Sequence, residues 1–152
     1  MGIATKLILR IMPKPEAVKT MLAIYNSLED AGRTVSAIIA DGILPATLEI
    51  LDNNTIKAVE ASVKAGYPLD AAAVLLIELD GMKDGMERLA DRVMEICKKT
   101  GVREVRAAKT EEERAQLWAG RRGAFGAVAR LRPNYLVCDG TVPRSKLPEV
   151  LR

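Results

Sequence analysis

Three times along the chain a β-compatible apolar run leads into a helix start, and this alternation restricts the available folds more than any other feature. Ser27-Leu28-Glu29-Asp30 follows the run 18–25, Asp52 follows 46–51, and Thr110-Glu111-Glu112-Glu113 follows 102–108. In each case the Ser, Asp or Thr oxygen can accept a backbone N–H that the first helical turn leaves unpaired. Thr110 carries the strongest signal, because Glu113 can reach back to it and three acids sit at the positive end of the helix dipole. Apolar stripes support the helices: Leu28, Ala31, Val35 and Ile38; Ile56, Val59 and Val63; Met86, Leu89, Val93 and Ile96.

The remaining strands read from period and composition. Residues 3–11 alternate Leu7, Leu9 and Ile11 against Lys6, Ile8 and Arg10 before Met12-Pro13-Lys14-Pro15 ends the run. Val-Leu-Leu-Ile-Glu-Leu at 74–79 is the best strand, stopped by Asp80-Gly81. Tyr-Leu-Val-Cys-Asp at 135–139 makes a last strand after Pro133, and 145–152 begins another helix. Two β-α-β units of this kind combine into a split sheet. The expected class is α+β, ferredoxin-like, with a mostly antiparallel sheet and helices packed on one face.

With 152 residues and 49% hydrophobic content, one domain can form without metals or disulfides. The chain holds no histidine, so Ser/His/Asp and Cys/His catalysis and any histidine-ligated metal are excluded within it. Cys97 and Cys138 lack CxxC spacing and read as small core hydrophobes in a reducing cytoplasm. The longest uncharged stretch, 20–28, is nine residues, too short to span a bilayer. A net charge of +3 and five aromatic residues, with only Tyr25 and Tyr135 in expected strands, argue against nucleic acid. The basic excess is local: residues 98–132 carry ten basic and four acidic side chains, which suits a small anion or a partner subunit.

The most unusual segment is 117–127, Leu-Trp-Ala-Gly-Arg-Arg-Gly-Ala-Phe-Gly-Ala. Gly120, Gly123 and Gly126 are spaced three apart inside an expected helix, where each costs about 1 kcal/mol relative to alanine. Either another backbone packs closely against that stripe, or a flat ring or small anion approaches it with Arg121 or Arg122 beside it. An arginine fork can hold a carboxylate by two parallel hydrogen bonds. Trp118 and Phe125 read as core anchors. Glu49 and Glu78, each within an apolar strand, are either outward and solvated or turned toward a cleft.

Five motifs occur in order: Pro13-Lys14-Pro15-Glu16, Ala46-Thr47-Leu48-Glu49-Ile50-Leu51-Asp52, Leu75-Leu76-Ile77-Glu78-Leu79-Asp80-Gly81, Leu117-Trp118-Ala119-Gly120-Arg121 and Asp139-Gly140-Thr141-Val142-Pro143. With them the chain closely resembles the C-terminal, substrate-side domain of FAD-linked oxidases of the glycolate oxidase D-subunit and D-lactate dehydrogenase type. The resemblance implies FAD held mainly by a separate N-terminal domain, with residues 1–12 as the strand leaving it. Residues 13–152 would then be the domain over the flavin ring and substrate, truncated at its C-terminal end, with the family's metal-binding and acid/base histidines further downstream. The implied reaction oxidises a 2-hydroxy acid such as glycolate or D-lactate to the 2-oxo acid. Hydride would pass to FAD, and electrons would leave to another subunit or carrier.

The family's Leu-Trp-x-x-Arg arginine, which binds the substrate carboxylate, carries over onto Arg121. Glu49, Arg122, Gly123, Phe125 and Thr141 are the further candidates for cleft- or flavin-facing positions. No catalytic residue and no metal ligand is assigned within the chain. Phe125 and Val137 stand where the 2-hydroxyglutarate enzymes have a threonine and a lysine, which favours a small monocarboxylate. By this reading the isolated piece is inactive and without bound FAD, pairs with a second copy through an uncovered apolar face, and is cytoplasmic, meeting the inner face of the membrane through partner subunits. The alternative is a stand-alone ferredoxin-like oligomeric module that binds a small anion without chemistry.

Overall fold

The computed structural model describes residues 2–11, 13–132 and 134–151. Parts of the expectations at residues 1, 12, 133 and 152 lie outside the described residues. Four strands, β1 Ala17–Tyr25, β2 Thr47–Asp52, β3 Ala73–Gly81 and β4 Val102–Ala107, form one sheet in the order β2-β3-β1-β4. Every neighbouring pair is antiparallel, with Leu22 opposite Leu76 in the centre and Glu49 opposite Leu76 at the β2 edge. Helix α1 (Leu28–Ala40) carries the chain from β1 past β3 to β2, and α3 (Met86–Lys99) carries it from β3 past β1 to β4. This is the split arrangement expected of the ferredoxin-like α+β class, with α2 (Asn53–Ser62) inserted between β2 and β3 and α4 (Glu111–Val128) following β4. A 3-10 turn (Arg144–Lys146) and a short α5 (Leu147–Val150) follow, against α1.

The three cap residues act as their spacing predicts. Ser27 accepts from the Asp30 N–H at 3.4 Å, Asp52 from Thr55 at 2.9 Å and Thr110 from Glu113 at 3.2 Å. One detail differs. The Glu113 carboxylate accepts from the Lys109 N–H at 2.6 Å, satisfying the donor one residue before the cap.

The sheet is covered on both faces, not on one. Met21, Ala23 and Tyr25 of β1, with Leu75, Ile77 and Leu79 of β3, pack under α1 and α3. Leu22 and Ile24, with Val74 and Leu76, pack against α2 and α4. The reason lies in the strands themselves: residues 21–25 of β1 are all buried, and a run that is apolar at every position has two faces to cover. Cys97 belongs to the first core, but Cys138 is exposed.

Two expected strands do not form. Residues 3–11 are coil, with Ile3, Leu7, Ile8, Leu9 and Ile11 all largely exposed, and 135–139 are likewise coil. A period of two selects which face of a strand is apolar, but a strand also needs a neighbour for its N–H and C=O groups. Both sheet edges, β2 and β4, remain unpaired with either segment.

Candidate functional site

Helix α4 crosses the second face of the sheet beside α2, and small residues set how close the two helices come. A Cβ on Gly120 would lie 2.6 Å from the Cβ of Ala65 and 2.6 Å from Tyr67 Oη, and one on Gly123 would lie 2.6 Å from Val63 Cγ2. The glycines at 120 and 123 are therefore explained by packing against the end of α2 and the loop after it. Gly126 has nothing within 4 Å. The Tyr67 hydroxyl donates to the Leu117 carbonyl at 2.5 Å, and Gln116 Nε2 donates to the Lys64 carbonyl at 3.2 Å.

With that side of α4 turned toward α2, its flank bearing Arg114, Trp118 and Arg121 meets the strands. These positions are spaced i, i+4, i+7, so they form one strip down about two turns. Facing them are Glu78 on β3 and Glu49 on β2, which share a sheet face because Thr47 pairs with Glu78 and Glu49 with Leu76. Arg121 Nε lies 2.9 Å from Glu49 Oε2, and each side chain is about one third exposed, at 31% and 32%. The pair sits at an open surface, where an incoming anion can reach the guanidinium.

The second pair is closed. Glu78, its side chain 12% exposed, accepts from Thr20 Oγ1 at 2.7 Å, Trp118 Nε1 at 2.6 Å, and Arg114 through Nε at 3.0 Å and Nη2 at 3.2 Å. Burial pushes its carboxyl up, but the hydrogen bonds from Arg114, Thr20 and Trp118 together prevail and hold it below the usual carboxylate range. A lowered pKa in the folded chain means that Glu78 adds stability above its unfolded pKa, lost as pH falls through the folded value. Glu78→Gln should therefore flatten the decline in melting temperature that the wild type shows below about pH 4.5. Parallel thermal melts across acid pH check this, and identical slopes would refute it.

The other candidates are scattered around this strip. Arg122 is exposed and borders a cavity of about 330 Å³ with Glu78, Glu111, Arg114, Ala115 and Trp118. Phe125 is not a core anchor: it is 55% exposed and lines an apolar groove of about 280 Å³ with Thr55, Ala124, Val128, Tyr135, Leu136 and Val137. Trp118 is partly buried and serves as a hydrogen-bond donor as well as a packing group. Thr141 lies exposed in the coil 134–143. Glu49 and Glu78 both face α4, not solvent alone. Sequence reasoning passed over Arg114 and the indole N–H of Trp118, although their helical spacing with Arg121 was available as a signal. Among the described residues no cluster of three or more His, Cys, Asp or Glu is placed to hold a metal, and no helix is long and apolar enough to cross a membrane.

Comparison with known proteins shows the family and the fold of the chain. The family described as FAD linked oxidases, C-terminal domain, matches residues 14–152. Glycolate oxidase subunit GlcD of Escherichia coli K12 is 46% identical over 151 residues, 99% of this chain and 30% of its own length. The GlcD of Bacillus subtilis 168 is 45% identical over 152 residues, covering 100% of this chain and 32% of its own. A probable mitochondrial D-lactate dehydrogenase of Danio rerio is 29% identical over 99% of this chain. Among solved structures, alkyldihydroxyacetonephosphate synthase superposes with a TM-score of 0.56 over 78% of this chain and 24% of its own, at 13% identity, a likeness of fold. The chain spans about 30% of the length of the glycolate oxidase relatives it matches.

Proposed function

Because the chain belongs to the FAD linked oxidases, C-terminal domain family, we propose that it is the substrate-side wall of a flavin-dependent 2-hydroxy-acid oxidoreductase, with Arg121 as the group that receives the substrate carboxylate. Its relatives imply FAD in the full-length protein. The observation that carries the reading is the Arg121–Glu49 pair at 2.9 Å, a third exposed and on an open face. A cation on the same helix as the half-exposed Phe125, one turn away, offers what a carboxylate and a flat apolar ring each require. The residues present thus fit one face of a flavin with a small acid against it.

When bound, the flavin supplies an acceptor for the hydride that leaves C2 as the hydroxy acid becomes the 2-oxo acid. The chain's own contribution is placement. Arg121 holds the carboxylate through its planar fork, the Glu49 carboxylate keeps Arg121 at the β2 edge by charge, and C2, bonded directly to the substrate carboxylate, is thereby fixed in position. Arg122, next to Arg121, and Phe125, one turn further along α4, are the side chains of this helix available to shape what fits beside C2, whereas Gly123 contributes by letting α4 approach α2. Phe125 and Val137 add no charge or hydrogen-bond donor for a second carboxylate, which favours glycolate or D-lactate over a dicarboxylic acid. Electron-accepting subunits or a carrier complete turnover, and the protein works in the cytoplasm, reaching the membrane through those partners.

The test is to purify the full-length protein with its flavin and add glycolate or D-lactate without oxygen. Loss of the flavin's visible absorbance is the expected result. Absorbance unchanged by any 2-hydroxy acid would overturn the reading.

A further inference from the structure

We propose that Glu78 is a positioning residue, fixing α4 at the height and rotation that present Arg121 to the substrate. The inference rests on the reading of Arg121 as the carboxylate-binding group. Glu78 itself is not placed to bind substrate or take a proton: both of its oxygens already accept, from Thr20, Trp118 and the fork of Arg114. What those donors have in common is their location. Arg114 and Trp118 lie on the strip of α4 that ends in Arg121, while Thr20 and Glu78 are cross-strand partners in the two central strands.

The other contact of α4 lies on its opposite flank, where Gly120 and Gly123 pack closely on Ala65, Tyr67 and Val63, Tyr67 Oη donates to the Leu117 carbonyl and Gln116 Nε2 to the Lys64 carbonyl. That contact sets the distance between α4 and α2, whereas Glu78 ties the flank that carries Arg121 to the sheet. A charged fork with directed hydrogen bonds has one good geometry. Replacing a buried ion pair by apolar side chains is often neutral for stability, so the role assigned to this pair is the geometry it imposes. The two acid–arginine pairs on the strip therefore differ in role. Glu78–Arg114 is saturated and holds the helix, and Glu49–Arg121 is open and available for exchange.

The test uses the full-length flavoprotein with two readouts: KM and kcat for the oxidised hydroxy acid, and the Kd of oxalate, a non-reacting carboxylate, by titration calorimetry. Glu78→Gln keeps an acceptor for Thr20 and Trp118 but loses the charge opposite Arg114. Oxalate Kd and substrate KM are expected to rise roughly tenfold, with a smaller change in kcat, as for a displaced positioning group. Trp118→Phe removes one donor and should shift both in the same direction by less. If Glu78→Gln fails to fold, the double variant Glu78→Met with Arg114→Met supplies an apolar contact; it should melt near the wild-type temperature and still bind oxalate weakly.

Wild-type oxalate affinity in any of these variants that keeps the wild-type melting temperature would overturn the proposal. A wild type that binds oxalate yet oxidises no 2-hydroxy acid would overturn the proposed reaction, while Kd alone still decides the role of Glu78. A wild type that does not bind oxalate would overturn the Arg121 site and this inference together.

Discussion

Arg121→Lys in the full-length flavoprotein is expected to raise KM for glycolate or D-lactate roughly ten- to hundredfold, matching the ~1.5–3 kcal/mol of a hydrogen bond to a charged group. The charge is kept, so the loss reports geometry. A lysine ammonium is a point donor on a flexible stem and cannot give a carboxylate two parallel bonds while a third nitrogen remains on Glu49. In the structure Arg121 Nε lies 2.9 Å from Glu49 Oε2 as an ion pair, which keeps the guanidinium at the β2 edge before substrate arrives. Glu49→Gln should act in the same direction but more weakly, because it removes the charge paired with Arg121 and leaves the guanidinium itself in place. Steady-state kinetics check both. An unchanged KM in Arg121→Lys removes the assignment.

The largest stability effect is expected at Gly120. In an open helix, glycine to alanine stabilises by about 1 kcal/mol. At Gly120 the added methyl would sit 2.6 Å from Ala65 Cβ and 2.7 Å from Tyr67 Cζ, and Tyr67 is buried with its hydroxyl bonded to the Leu117 carbonyl. Neither neighbour is the free end of a flexible chain, so α4 must move away from α2, at a net cost of about 1–3 kcal/mol typical of overpacking. Gly126→Ala is the internal control. With nothing within 4 Å, it should stabilise by about 0.5–1 kcal/mol. Melting curves followed by circular dichroism should show shifts of opposite sign, and shifts of the same sign would refute the packing account.

How far the sequence revealed this depends on whether a feature is settled locally. Caps are local, so Ser27, Asp52 and Thr110 were readable within a residue, and β3 was readable as an apolar run between turn signals. The segments 3–11 and 135–139 misled because alternation says nothing about whether an edge is at hand to pair with. The covering of both sheet faces is legible in the unbroken apolar stretch 21–25, since a strand apolar on both sides needs a layer on each. Glu49 and Arg121 are 72 positions apart and meet only because β2 and α4 lie on the same side of the sheet, so no spacing rule could join them. The resemblance to relatives points to Arg121, and the Glu49 carboxylate beside it is visible only in the fold.

Strand β1 serves two layers at once: Met21, Ala23 and Tyr25 face α1 and α3, and Leu22 and Ile24 face α2 and α4. Tinkering there to reshape the proposed acid-binding side disturbs the opposite layer, since neighbouring positions answer to different helices and a changed backbone is felt by both. Under the proposed function, adaptation to a bulkier or more polar acid therefore has its freest route through the rim, at the partly exposed Thr47 and the outward flank of α4, where side chains answer to one layer and to water. A library randomised at Thr47, Arg122 and Phe125 would explore new acids with the central strands untouched.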